Sequence, residues 1–483
     1  MSGITAVLNT ARNAMLTQQI AMEVTSQNIA NVNTLGYSRQ KALLESKAAN
    51  TIARIKVGFG VEVDKVMQYV DEFTERTIQT KTSASEEYDA KAGVLSHLET
   101  IFNETSEQGL GTIMNEFWKA WQDVVNNPGS IPERTALIEK AQILARQFNS
   151  MSDDLNQIKL GMRTNIQATI AELNTAIEGI AKLNEKIVYG EASGTTANDL
   201  RDQRRVLLNQ LSSLIGTTSL EDANGSVTVL TADGFLLVEG KEFWGFEQDV
   251  DEIYYNHIPS DVSAQIHGGK MEAWLDLRDE TVPQYLANLD ELAGTFIAEV
   301  NALHTAGSTL SGDTGKYFFE DFQVVPQTPN PGDYSQAASY IRLSTDILNH
   351  PENIAAGGAS GEPGDNETAM EILALQTDDT LQVRKWVVED RGANRSSSLQ
   401  TETMDDYYAA LTGDLGILVA ENTQNAAFAE TMLENLDKVR ESVSGVNLDE
   451  EMTELIKIQR AYEAASKLVL IADEMLQSLL EMR

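Results

Sequence analysis

The chain of 483 residues contains no cysteine. Disulfides, thiolate nucleophiles and cysteine-based metal sites are therefore excluded. Basic residues are scarce: 36 Lys and Arg stand against 73 Asp and Glu, a net charge of −37. A chain this acidic is repelled by phosphate backbones and anionic lipid, because binding either needs clustered cations. Nucleic acid is not an expected partner. No apolar run reaches the length of a membrane span and no signal-peptide core follows Met1, so neither membrane insertion nor a cleaved leader is expected. The five histidines (His97, His257, His267, His304 and His350) are scattered, with no pair at metal-ligand spacing. A Gly-x-Ser-x-Gly elbow, a phosphate loop, a dinucleotide fingerprint and a calcium loop are all missing. Glycines 357, 358, 361 and 364 have no basic neighbour to hold a phosphate, and acidic pairs such as Asp153-Asp154 and Glu450-Glu451 read as solvated helix faces. No catalytic, cofactor or metal site is expected.

What is present is enough to build a large core: 42% of residues are hydrophobic, and the length suits two or more domains. Charge is unevenly spread. Residues 1–60 carry six basic and two acidic groups, a net of +4, and residues 440–483 carry five basic and nine acidic groups, a net of −4. The whole deficit lies between them. Ends of opposite sign can lie against each other while self-repulsion stays in a solvated middle.

Periodicity points the same way. Ile4, Leu8, Ala11, Met15, Gln18, Met22, Thr25 and Ile29 recur at alternating spacings of four and three. So do Leu455, Ile458, Tyr462, Ala465, Val469, Ala472, Leu476 and Leu479 near the other end. Both are heptad stripes that put a narrow apolar seam on one side of a helix. Gln18, Thr25 and several alanines sit in these seams, so each buries little area. At about 25 cal/mol per Å² such seams barely offset the entropy of ordering the chain. The ends are expected to be mobile in the monomer and to order when subunits pack.

The middle reads as a helical body with a small β insertion, a mainly α (α+β) class overall. Helices are expected at 86–103, 110–125 and 132–188, with Asn126-Asn127-Pro128-Gly129 as the turn between the last two. Ile166, Ile170, Leu173, Ile177, Ile180, Asn184 and Ile187 form another heptad stripe, and Leu200, Leu207, Leu208, Leu211 and Leu214 mark a further helix. Residues 217–267 alternate in short runs broken by Asn224-Gly225 and Asp233-Gly234, the signature of tight hairpins. Helix returns at 271–304, loops with short strands fill 305–365, and helix resumes at 366–382 and 418–441 with a break near Gly413. The expected domains are nested: 1–60 with 440–483 as a terminal-helix domain, 61–216 with 271–439 as a discontinuous, mainly helical middle, and 217–270 as the β insertion.

The run from Ser26 through Asn28, Asn31, Asn33, Thr34, Gly36 and Tyr37 to Arg39 resembles the signature shared by flagellar rod, hook and hook-associated proteins. The run from Ser444-Gly445-Val446-Asn447 through Gln459-Arg460-Ala461-Tyr462 to Met475-Leu476 resembles their matching C-terminus. Asn198-Asp199-Leu200-Arg201-Asp202-Gln203-Arg204-Arg205 is similar to a helix of the hook-associated protein 1 family, as are Gly268-Gly269-Lys270, Leu275–Thr281 and Glu299–His304. The resemblance covers most of the chain, most weakly at the β insertion and 305–365. It implies a structural subunit at the junction of hook and filament, exported without a cleaved signal by the flagellar type III system. The chain would be transiently cytoplasmic and finally extracellular, in the flagellum. It implies self-assembly into a helical or ring layer by the terminal helices, at Ile4, Leu8, Ala11, Met15, Met22, Ile29 and the signature residues, and at the C-terminal stripe from Leu455 to Leu479. Implied partners are the hook protein, the second hook-associated junction protein, and a cytoplasmic export chaperone on the C-terminal helix. Two alternatives stand beside it: a hook or rod protein with the same ends, and a cell-wall hydrolase using paired carboxylates.

Overall fold

A computed structural model describes residues 2–47, 50–52, 55–57, 60–102, 109–192, 194–256, 258–321, 334–358 and 364–481. His257 and Gly361 lie outside the described residues, and so do stretches 322–333 and 359–363 of the segment expected to be loops.

The chain begins with α1 (Ser2–Ala30), then β1 (Gln40–Ser46), β2 (Asn50–Ile52), β3 (Ile55–Val57) and β4 (Val61–Gln68). Four long helices follow: α2 (Glu72–Ile101), α3 (Leu110–Asn126), α4 (Ile131–Glu191) and α5 (Asn198–Leu214). The insertion carries β5 (Thr217–Glu221), β6 (Val227–Thr231), β7 (Leu236–Glu239), β8 (Glu242–Phe243), β9 (Phe246–Asp249) and β10 (Glu252–Tyr255). Then come α6 (Gly269–Asp276), a π-helical turn at Leu277–Thr281, and α7 (Val282–Ala306). Short helices α8 (Ala337–Tyr340), α9 (Thr345–Leu348) and α10 (Glu367–Ala374) lead to β11 (Gln382–Glu389) and β12 (Asn394–Thr401). The last two helices are α11 (Met404–Ser444) and α12 (Leu448–Glu481).

Two apolar cores share one helix. The first gathers an aromatic cluster, Phe117, Trp118, Trp121, Phe148, Phe296, Phe318 and Phe319, between α3, the first half of α4 and α7. The second packs Ile166, Ile170, Leu173, Ile177 and Ile180 of the same α4 against α5, α6 and the insertion. The insertion is a four-stranded antiparallel sheet in the order β5-β6-β7-β8 with a separate β9-β10 hairpin. Two asparagines of α4 dock it. Asn174 Nδ2 donates to Phe246 O and its Oδ1 accepts from Phe246 N, at 2.8 and 3.0 Å. Asn184, an expected seam member, does the same with Val227 at 2.8 and 3.1 Å and also accepts from Arg204. Each carboxamide replaces the two ladder bonds that a neighbouring strand would have made.

The structure departs from the sequence reading in several places, among them the helix expected at 366–382, which ends at Ala374. α2 begins at Glu72, fourteen residues before the expected 86, because Asp71 caps it by accepting from Phe73 N–H at 3.1 Å. The expected domain boundary at residue 60 falls inside an antiparallel hairpin, since β1 pairs with β4 from Gln40↔Gln68 to Ser46↔Val61. The stretch 382–401, placed in the mainly helical middle, is a hairpin in which Gln382 faces Thr401 and Glu389 faces Asn394. Its β11 edge is met by side chains of α7: Trp386 N donates to Asn288 Oδ1 at 2.7 Å and Val388 N to Gln284 Oε1 at 3.1 Å. Finally, α11 runs through Gly413 unbroken and past the expected boundary at 439, anchored by buried Tyr407, Tyr408, Leu411 and Leu415. That packing outweighs the roughly 1 kcal/mol penalty of a helical glycine. No helix among the described residues is long and apolar enough to cross a membrane.

Candidate assembly joint

The two ends of the chain meet. α1 and α12 pack along each other, and Ala11, Thr25, Ile458, Ala465 and Ala472 are buried, while Ile4, Leu8, Met15, Met22, Ile29, Leu455, Tyr462, Val469 and Leu476 are half-buried. The side chain of Leu479 lies outside the described residues. Apolar burial is slight in this part of the molecule; polar groups hold its base.

Asn28, at the last turn of α1, is the centre of that base. Its Oδ1 accepts from Gln40 N at 3.0 Å and from the Tyr37 hydroxyl at 2.9 Å. Its Nδ2 donates to Gln40 O and to Glu451 Oε2, both at 2.9 Å. Every hydrogen-bonding site of the amide is used. Glu451, 2% exposed, also accepts from Arg39 Nε at 2.8 Å, and Arg39 reaches Glu450 at 3.0 Å while its backbone N–H donates to Ser444 O at 2.9 Å. The basic N-terminal segment and the acidic C-terminal one are thus joined by direct ion pairs.

The turn between α1 and β1 supplies the remaining signature residues. Asn31 donates through both its backbone N–H and its Nδ2 to Gln27 O, closing the helix end, and Thr34 Oγ1 donates to Asn31 Oδ1 at 3.1 Å. Asn33 is exposed and adds no bond among the described contacts. Gly36 has φ +76°, and a Cβ there would stand 2.4 Å from Val206 Cγ2. The turn can therefore lie against α5 only because residue 36 is glycine.

α5 is the other wall of the joint. Asp202 accepts from Ser38 N at 3.3 Å and from Arg205 Nη1 at 2.8 Å, and Arg205 also donates to Ser38 Oγ at 2.6 Å. Asn198 donates to Gln40 Oε1 at 3.1 Å, and Asp199 accepts from Gln40 Nε2 at 3.3 Å. Arg201 forks onto Glu191 at 2.7 and 2.8 Å and reaches Glu221, while Arg204 binds Glu221 and the Gly225 carbonyl. One polar helix thereby ties the terminal module, the end of α4 and the insertion together. Burial raises the Asp202 carboxyl, against the opposing pull of Arg205 and the Ser38 bonds. Burial also pushes the Tyr37 phenol up, with Asp199, Asp202 and Glu451 adding to it, so Tyr37 stays a neutral donor.

Sequence reasoning chose Asn28, Gly36 and Tyr37 for this site but not Glu451, Gln40, Asn198, Asp202 or Arg205. The signal for the last three was the density of polar residues at the start of a helix, Asn198 to Arg205. The only acidic trio among the described residues close enough to share a metal ion is Glu87, Glu272 and Asp276. The Lys91 ammonium already lies 2.8 Å from both Glu87 and Asp276.

A discontinuous helical body carrying a continuous β insertion, closed by paired terminal helices and a polar joint, is the architecture of a structural, packing subunit. Residues 8–37 match the family described as flagella basal body rod protein, and 441–482 match the basal body rod FlgEFG protein C-terminal family. Residues 95–319 match the helical domain of flagellar hook-associated protein FlgK. Flagellar hook-associated protein 1 of Bacillus subtilis is 30% identical over 98% of this chain and 97% of its own length, and that of Escherichia coli is 24% identical over 99% and 100%. The flagellar hook junction protein FlgK of Burkholderia pseudomallei superimposes with a TM-score of 0.63 at 15% identity, over 76% of this chain and all of its own. The chain belongs to the flagellar hook-associated protein 1 family.

Proposed function

We propose that this protein is the structural subunit that joins the flagellar hook to the filament, and that it works by packing, not by catalysis. The observation that carries the reading is the joint: both chain ends pair and are keyed to one body helix, while α12 keeps apolar residues on the faces that α1 leaves open. Leu468, Leu470, Ile471 and Met475 are 44–64% exposed. A helix apolar on more than one side needs further helices around it. Neighbouring copies supply them in a head-to-tail lattice that continues into hook protein on one side and the second hook-associated protein on the other. Before assembly, an export chaperone covers the same helix during transit through the type III channel to the cell exterior. Antibody-gold labelling of intact flagella tests the assignment. A single band at the hook–filament boundary is the expected result; label along the hook would indicate a hook or rod protein, and no label would end the flagellar reading.

A further inference from the structure

We infer that Glu451 sets the register of the terminal helix pair, as a polar key in a seam that hardly distinguishes one heptad from the next. The inference rests on the assembly role proposed for that pair and concerns which faces it presents to neighbours. Among the described residues, the buried positions along α12 are Glu451, Ile458, Ala465 and Ala472, seven residues apart, and the buried apolar side chains of α1 are Ala11 and Val24. The helices run antiparallel: Asn28 near the end of α1 meets Glu451 near the start of α12, and Gln18 shares a groove with Ala461.

Sliding α12 by one heptad is a shift of about 10.5 Å. The Gly445–Asn447 connection and a frayed helical turn can span it. Apart from the half-buried Tyr462, which changes place with Leu455 or Val469, the slide exchanges one small or aliphatic residue for another at every layer but one. In the remaining layer Glu451, the one buried polar side chain of α12 among the described residues, loses both Asn28 Nδ2 and Arg39 Nε. A slide that brings Ile458 to that place also sets an aliphatic side chain against an amide that holds the Gln40 backbone. A carboxylate or amide stripped of partners in a buried layer is penalised far more than a changed alanine contact. Fixing register is the best-attested use of a single buried polar residue in a helical seam.

The absence of native cysteine makes the test direct. Counting back from the Asn28–Glu451 contact, Ala14 lies opposite Ala465. Ala14→Cys with Ala465→Cys then reports the native register by disulfide formation in the dilute full-length chain. Ala14→Cys with Ile458→Cys or with Ala472→Cys reports a slip of one heptad in either direction. The native pair should dominate when Glu451 is present, and Glu451→Ala should raise the slipped crosslinks roughly tenfold relative to the native one. Glu451→Gln, which keeps an oxygen for Asn28, should restore the native pattern. If Glu451→Ala crosslinks only at 14 and 465, another feature sets the register and the inference fails. If it loses all three crosslinks, Glu451 holds the helices together without choosing their alignment, and the inference fails equally. The crosslinks are read on the free chain, so either failure leaves the junction assignment to the gold labelling.

Discussion

His304 is wholly buried beside Phe318, with Nδ1 2.7 Å from the Lys316 carbonyl and Nε2 2.8 Å from the Ala355 N–H. Nε2 can only accept there, so the proton sits on Nδ1 and the ring is neutral. Burial pulls the imidazole down from 6.5 to about 4, with Arg134 adding to the effect and the Lys316 bond opposing it. The consequence for stability follows from linkage. Above pH 6.5 neither the native nor the unfolded chain protonates this ring, and it contributes nothing. Below that the unfolded chain takes up a proton that the native chain refuses, so stability falls by about 1.4 kcal/mol for each pH unit. The loss is complete near pH 4, where it totals about 3 kcal/mol. Buried carboxyls whose affinity for protons is raised, such as Glu75, Glu87, Asp202 and Glu299, act in the opposite sense over the acid range. They are common to wild type and variant and cancel in a difference. Urea unfolding at pH 7 and pH 4 should therefore be compared between wild type and His304→Gln, followed by fluorescence of Trp118 and Trp121 in the same core. The variant should be weaker at pH 7 but lose about 3 kcal/mol less on acidification. Identical losses in the two proteins would refute the reasoning, and would mean that the ring finds a counter-charge or water on protonation.

Three further outcomes follow from the joint and the seams. Gly36→Ala should destabilise the docking of the turn on α5 by about 1–3 kcal/mol, seen as faster amide exchange in residues 198–205. Adding Val206→Ala should recover the steric part but not the part due to positive φ. Residues 4–29 should exchange faster than the body helices in a dilute monomer, where the pair opens readily though it closes in one register, and should gain protection on assembly; protection equal to that of α4 in the monomer would show that the thin seam suffices alone. Replacing Ile458, Val469 and Leu476 with charged residues should abolish capture by the export chaperone, and undiminished binding would move that site elsewhere.

The heptad stripes at both ends were legible because their pattern is local: one seam position in every three or four residues survives whatever packs against it. Asn126–Gly129 and the two tight turns of the insertion were legible for the same reason. The hairpin at 382–401 was not. β12 reads Asn-Arg-Ser-Ser-Ser-Leu-Gln-Thr, is exposed nearly throughout, and offers no apolar alternation. β11 is held by Gln284 and Asn288, about a hundred residues away in the chain. The unbroken course of α11 through Gly413 likewise depends on a core assembled from distant helices. At the joint, Asn28 and Gly36 carried a signal in their own turn chemistry. Glu451 looked like one more solvated acid in a very acidic chain, and only the approach of Asn28 and Arg39 makes it a buried one.

α4 is a single helix of 61 residues, about 90 Å from end to end. Its first half belongs to the aromatic core and its second to the core that carries the insertion. Force applied along the molecule therefore meets backbone hydrogen bonds arranged in series down one rod, with both cores clamped onto it. The terminal module is attached differently, through a lattice of discrete polar contacts with almost no apolar packing beneath. Under torsion or bending, the body should therefore move as one stiff member and the strain collect at the joint. There the bonds of Ser38 to Asp202 and Arg205 and of Gln40 to Asn198 and Asp199 are separate contacts that can be lost one at a time, so a bending load should open the wrist before it bends the arm.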